Sequence, residues 1–257
     1  MRRGPSMTEP RDAYDGWHAR VADSAALDTP WHRLVQESLA IARDLDGCRV
    51  LEIACGRGDF AEWCTSNADP EIFVAADFSM TAVRLARAHV LKSAPAVRVG
   101  FAQADAQAIA LGSESMDTVI CCETIEHVPD PRAAVRELAR VLRPGGRLFL
   151  TTPNYLGPIG GYRGYLRLTG RRFTEEGQPI NHFLLAPLVR QWVRTAGLRI
   201  IRTATAGHYL PFPGRPPILL IERSRWLDLF GLHALTVAEK PSRAEAAVRQ
   251  RRRTASR

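Results

Sequence analysis

The sequence predicts an α/β fold whose parallel sheet is covered by helices on both faces. Three observations carry that prediction. Short β-branched or apolar runs alternate with helically spaced segments between residues 48 and 154. A glycine turn, with Gly56, Gly58 and Ala61 at G-x-G-x-x-A spacing, separates the first run from a helix. The 257 residues, 46% hydrophobic and 24% charged, are enough for one large core.

The elements follow in order. "WHRLVQESLAIARDL" places Leu34, Val35, Leu39, Ala42 and Leu45 at helical spacing, and Gly47 closes it. "CRVLEIA" reads as the first strand, "RGDFAEWCTSN" as a helix and "EIFVAAD" as the second strand. "SMTAVRLARAHVLKSA" is an amphipathic helix with Ser79 as its N-cap, because the hydroxyl can accept from an otherwise unpaired backbone N–H. "AVRVGFAQAD" and "DTVICCE" supply the third and fourth strands. "DPRAAVRELARVL" is a helix with Pro131 in its first turn, and "GRLFLTTPN" is the fifth strand. Strands joined by helical crossovers pair in parallel and are covered on both faces.

After Tyr155 the alternation stops. A long Gly-, Tyr- and Arg-rich segment precedes the helix "APLVRQWVRTAG" and the strand "LRIIRTATA". A proline-rich bend, a short amphipathic segment "ILLIERSRWLDLFG", expected to pack as a helix, and a last strand "LHALTVAEK" complete the body. The expected organisation is an N-terminal polar segment over 1–30 and one domain over 31–241. Within that domain, 155–185 forms an acceptor lid and 207–231 an insert between the last two strands, and a basic disordered tail covers 242–257. The tail carries six arginines against one glutamate, which is five of the eight net positive charges, so the body is nearly balanced. That distribution argues against a nucleic-acid partner. No apolar run reaches the length of a membrane span and the N-terminus lacks a secretion signal, so a cytoplasmic location is expected. The five cysteines follow no zinc or disulfide pattern.

The glycine turn alone fits several ligands. Asp77 ends the second strand about 20 residues later, where a carboxylate can accept from ribose hydroxyls. Glu52, close to the turn, would repel a pyrophosphate and favour a cation. Together with "QADAQAIAL", "MDTVICCETIEHVPDP" and "LRPGGRLFLTTPN", these blocks resemble the class I S-adenosylmethionine-dependent methyltransferases from Val50 to about Asn154. The resemblance implies a Rossmann-like three-layer sandwich whose seven-stranded, mostly parallel sheet has an antiparallel last strand. It implies that Glu52, Gly56 and Gly58 line the methionine end of the donor, that Asp77 holds the ribose and that Asp105 with Ala106 meets the adenine. Cys122 would lie under the transferred methyl group, and Arg33 is a candidate for the donor carboxylate.

The catalytic candidates lie in "ETIEHVPDP". Glu123, Glu126 and His127 fall on one face if the segment begins a helical turn. They suit Mg2+ or Mn2+, or metal-free acid–base work by Glu126 and His127. The stretch resembles those of the ubiquinone-pathway O-methyltransferases and the small-RNA terminal 2′-O-methyltransferases. His182 is a second basic candidate that parallels a histidine in both. A phenol ionising near ~10 is about 3 pKa units short at neutral pH, roughly 4 kcal/mol, which one histidine or metal ion can offset. The expected activity is methyl transfer to an oxygen of a small-molecule acceptor: a phenol, a sugar or a lipid-linked metabolite. RNA 2′-O-methylation and a non-catalytic S-adenosylmethionine sensor are the alternatives, and membrane-surface contact through Leu219, Leu220, Trp226, Leu227 and Phe230 is the less favoured role of the insert.

Overall fold

A computed structural model describes residues 8–20, 29–93, 98–171, 178–212, 215–224 and 226–245. From residue 246 the expected basic tail lies outside the described residues, as do 1–7 and 21–28 of the N-terminal segment, 172–177 of the lid, and 213, 214 and 225 of the insert.

Seven strands form the central sheet: β1 (Arg49–Ile53), β2 (Ile72–Asp77), β3 (Val99–Gln103), β4 (Met116–Cys122), β5 (Leu142–Pro153), β6 (Arg199–Ala206) and, last in the chain, β9 (His233–Glu239). Their order is β3-β2-β1-β4-β5-β9-β6, and β9 runs antiparallel to both β5 and β6. Side chains alternate between two cores, as strand geometry requires. Leu51, Ile53, Val119, Cys121, Leu148 and Leu150 face one core, and Val50, Ile120, Phe149 and Val237 face the other. The first core is closed by α6 (Pro131–Val141) and α8 (Ala186–Thr195), the second by α2 (Pro30–Gln36), α4 (Asp59–Asn67) and α5 (Met80–Ser93). Ser79 caps α5 as expected, its hydroxyl accepting from Ala82 N–H at 3.1 Å. Asp130 caps α6 by accepting from Arg132 and Ala133 N–H.

Four local features differ from the sequence expectation. The polar N-terminal segment contains a helix, α1 (Thr8–Arg20). The helix expected over 31–45 is broken into α2 and a single turn, α3 (Ile41–Asp44). There the Asp44 carboxylate accepts from Ala40 N–H at 2.8 Å and starts a new turn. The long segment after Tyr155 holds α7 (Pro158–Leu168). The insert is a hairpin, with β7 (His208–Phe212) paired antiparallel to β8 (Arg215–Ile221), and not the packed helix expected over Ile218–Gly231. Prolines disfavour helical conformation in the residues before them, and the β-branched and leucine run that follows suits a strand.

The glycine turn is shaped by close approach. Gly58 has φ 87°, in the left-handed region, and a Cβ there would lie 2.9 Å from the Cα of Ala86 on α5. Its bare backbone lets α4 start against α5. Gly58→Ala is expected to lower stability by about 2–4 kcal/mol, from combined φ strain and helix displacement. Urea unfolding checks this, and an unchanged midpoint would refute it.

Candidate functional site

A cavity of about 230 Å³ opens at the carboxyl ends of β1, β2, β3 and β4. This is where a doubly wound sheet gathers its loops, because each crossover leaves the strand end and a helix start facing the same crevice. Two of the strand ends hold non-glycine residues at positive φ: Ala54 at 61° after β1 and Glu123 at 43° after β4. Such conformations persist only where the surroundings enforce them.

Asp77 connects these pieces. Its Oδ2 accepts from Gly56 N–H at 2.9 Å and its Oδ1 from Ser79 N–H at 2.8 Å. The glycine turn and the start of α5 are therefore fixed by one carboxylate. That carboxylate lines the cavity and has acceptor capacity left, since two oxygens offer about four lone-pair sites. Burial pushes its pKa up to about 6, against the lowering effect of the backbone donors. Glu52 lies beneath the turn, fully enclosed, and burial with the Asp77 and Asp59 carboxylates pushes it up to about 8. Its Oε2 makes no hydrogen bond within the described structure. Two acids in a low-dielectric crevice favour an incoming cation.

Gly56, Asp77, Asp105, Ala106 and Cys122 line the cavity, as expected of ligand-binding positions. Asp105 also closes a turn, accepting from Gln107 N–H at 2.8 Å. Glu52 and Gly58 shape the turn from behind and do not line the cavity. Arg33 departs from the expectation: it does not line the cavity, and its guanidinium is ion-paired to Glu222 at the foot of the hairpin.

Helix α1 contributes Tyr14, Trp17 and His18 to the lining, and Phe78 and Gln107 complete that side. None of these five was singled out from sequence. Phe78 follows Asp77 directly and was within reach of the pattern, whereas α1 had no periodic apolar stripe to announce its docking. The helix is held by polar contacts. Tyr14 donates to His127 carbonyl oxygen at 3.0 Å, Asp15 accepts from Thr81 N–H at 3.0 Å and from the Ser79 hydroxyl, and Arg57 donates to His18 carbonyl oxygen at 3.1 Å. Burial raises the Tyr14 pKa, so its hydroxyl keeps the proton it donates.

Of the expected catalytic trio the fold keeps Glu126 beside His127 and turns one Glu123 oxygen to another partner. His127 lines the cavity; its Nδ1 lies 2.8 Å from the Ile180 carbonyl oxygen, which can only accept, so Nδ1 carries the proton and Nε2 is the basic nitrogen. Burial lowers its pKa and keeps the ring neutral. Glu126 is completely buried, with Oε1 3.7 Å from His127 Nε2. Glu123 lines the cavity, but its Oε2 is turned to His233 Nδ1 on β9, 3.1 Å away. His233 also stacks with Trp31 at 4.7 Å between centroids. The expected cation site is therefore corrected. Glu123 Oε2 is engaged by His233, a partner 110 residues away that local spacing could not reveal. Among the described residues no group of three or more His, Cys, Asp and Glu side chains converges to hold a metal ion. His182 does not line the cavity; its Nε2 donates to Val128 carbonyl oxygen at 2.9 Å and its backbone N–H to Glu126 carbonyl oxygen at 2.8 Å, which clamps the loop after β4 from outside.

Comparison with known proteins agrees with this geometry. A methyltransferase domain family model matches residues 51–150. A ubiquinone biosynthesis O-methyltransferase of Xanthomonas oryzae pv. oryzae is 40% identical over 51% of this chain and 55% of its own length, so the chain spans about half of that relative. The same enzyme of Alkalilimnicola ehrlichii is 33% identical over 66% of this chain and 68% of its own length. An S-adenosylmethionine-dependent methyltransferase structure from Mesorhizobium loti superposes with a TM-score of 0.59 at 15% identity, covering 82% of this chain and 98% of that one, which shows the shared fold. With the donor-side crevice, the strand order and these relatives in agreement, the chain belongs to the class I S-adenosylmethionine-dependent methyltransferases.

Proposed function

We propose that this protein transfers a methyl group from S-adenosylmethionine to an oxygen of a small-molecule acceptor, with a phenolic hydroxyl as the leading class. One observation carries the reading: a single cavity is lined both by Asp77 and the glycine turn and by His127, whose Nδ1–H is committed to the Ile180 carbonyl oxygen, which makes Nε2 the basic nitrogen of the ring. The relatives named as O-methyltransferases support oxygen as the acceptor atom.

When bound, S-adenosylmethionine supplies an electrophilic methyl group on a cationic sulfur. The residues present fit it. Asp77 would accept from its ribose hydroxyls, the turn beside Asp105 and Ala106 would receive the adenine, and the buried carboxyl of Glu52 would favour the positive charge. Helix α1 lines the cavity with Tyr14 and Trp17, whose rings would shield bound donor from water. Methyl transfer is an in-line displacement, so orientation provides much of the rate.

His127 takes the acceptor's hydroxyl proton on Nε2. Its Nδ1–H stays bonded to Ile180 carbonyl oxygen, so the ring becomes an imidazolium without reorienting. Glu126 faces that nitrogen and stabilises the charge. For a phenol the required shift is within the roughly 10²–10⁴-fold that one general base provides.

Two outcomes test this. His127→Ala is expected to lower kcat by about 10²-fold or more while donor affinity changes less than about threefold. Labelled methyl transfer to phenolic, sugar and lipid-linked acceptors, with and without chelator, reads both the acceptor class and the base. Failure to label any of them, or an unimpaired variant, would overturn the reading.

The second outcome concerns pH. Glu52 and Asp77 titrate above their ordinary values, so the donor-free protein is stabilised by their neutral forms at low pH. That stability is lost as pH rises through about 6 for Asp77 and about 8 for Glu52. A cationic donor needs the ionised forms. Its affinity is therefore expected to rise between about pH 6 and pH 7.5, by as much as about tenfold per unit, and Glu52→Gln should flatten the slope. Calorimetric titrations at the two pH values check this; equal slopes in wild type and variant would contradict it.

A further inference from the structure

The stretch 178–185, just before α8, contains neither helix nor strand, yet the site leans on it. Gln178 and Ile180 line the cavity, and the Ile180 carbonyl oxygen receives Nδ1–H of His127 at 2.8 Å. Which nitrogen of a neutral imidazole carries the proton is set by such a bond. The base therefore depends on where one backbone carbonyl sits. A stretch with no ladder of its own must take its position from contacts with its surroundings.

Tyr155 N–H donates to the Leu184 carbonyl oxygen at 3.0 Å and Ala186 N–H to Asn154 Oδ1 at 3.1 Å, which fixes the end next to α8. Near Ile180 the holding group is Arg163 of α7. Its Nη2 donates to the Asn181 carbonyl oxygen at 2.9 Å and to Asn181 Oδ1 at 3.2 Å. The oxygen that Arg163 holds and the oxygen that His127 uses belong to consecutive residues, so a shift of one moves the other.

Arg163 is 8% exposed, and a guanidinium keeps its charge in proteins. Withdrawing that charge from water is costly unless polar partners offset it. Here the bonds to Asn181 do so together with two ring faces. The guanidinium carbon lies 4.4 Å from the Tyr155 centroid and 5.6 Å from that of Phe183, and the two rings stack at 4.9 Å. A methionine would fill much of the same space with no charge to desolvate, so packing alone does not account for arginine at this place. What the guanidinium adds is direction. Tyr155 follows β5 and Phe183 belongs to the stretch itself, so the cation ties α7, the end of β5 and Asn181 together.

We propose that Arg163 is a positioning residue for His127: through Asn181 it fixes the Ile180 carbonyl oxygen, which keeps the imidazole in its Nδ1–H form and leaves Nε2 as the basic nitrogen. The proposal rests on the reading of His127 as the base.

Arg163→Met is expected to lower kcat for a phenolic acceptor at least about tenfold, with donor affinity changed less than about threefold. Long-range proton–nitrogen NMR of histidine-labelled, donor-free protein reads the ring directly. His127 is expected as the Nδ1–H form in wild type and as a mixture of both forms in the variant. Because Arg163 acts through His127, adding Arg163→Met to His127→Ala is expected to change kcat less than about twofold further. Arg163→Lys keeps a cation and an N–H donor and is expected to recover most of the loss. Asn181→Ala removes one of the two acceptors; it is expected to give part of the same tautomer shift, and it carries the test if thermal unfolding shows that the methionine variant does not fold. Retention of the Nδ1–H form in the variants, or losses that add in the double variant, would overturn the proposal and leave the base reading standing. An unimpaired His127→Ala would overturn the base reading instead, and the tautomer signal would still decide the positioning.

Discussion

One carboxylate organises the crevice. Asp77 accepts simultaneously from Gly56 in the glycine turn after β1 and from Ser79, the cap of α5, and it does so while lining the cavity. Hydrogen bonds from backbone N–H to a buried carboxylate are among the stronger ones available to a protein. Here they offset part of the penalty of keeping an acid out of water. The turn's φ angles, the entry of α4 and the approach of α5 all depend on this anchor, so the ligand site and the local fold share one interaction.

The same carboxylate is tied to helix α1 through Ser79, whose N–H it receives and whose hydroxyl goes to Asp15. Tyr14, next in sequence, reaches the carbonyl oxygen of His127. Helix α1, the glycine turn and the loop after β4 are thus connected by short polar links. None of the described α1 side chains belongs to either core. A roof attached by hydrogen bonds and by Phe78, instead of by buried apolar area, opens at lower cost than a core helix. That is the property a cavity enclosing a large donor requires.

Sequence pattern was most informative where the physics is local. The central strands, the Ser79 cap, the turn glycines and Asp77 follow from periodicity and from spacing along one chain segment. The seven-stranded sheet and its antiparallel last strand were implied by family resemblance, and both are present. What escaped was set by contacts between distant segments. Glu123 was assigned to a cation with its neighbours because Glu123, Glu126 and His127 are close in sequence. The fold instead gives it His233, delivered by β9. Arg33 was aimed at the donor, but the hairpin's Glu222 claims it. The hairpin itself was read as a packed helix, since a run such as "ILLI" has no period of its own and only its pairing with β7 decides the outcome. Helix α1 carried a polar sequence because its task is to roof a cavity, which needs few apolar residues.

The central claim is that Asp77 holds both the turn and the ribose of S-adenosylmethionine. Calorimetric titration of wild type and Asp77→Asn with S-adenosylmethionine tests it most directly. The account predicts one site in wild type and an affinity at least about tenfold weaker in the variant, since a charge-assisted acceptor becomes a neutral one. Equal affinities, or no binding of the donor by wild type, would contradict it.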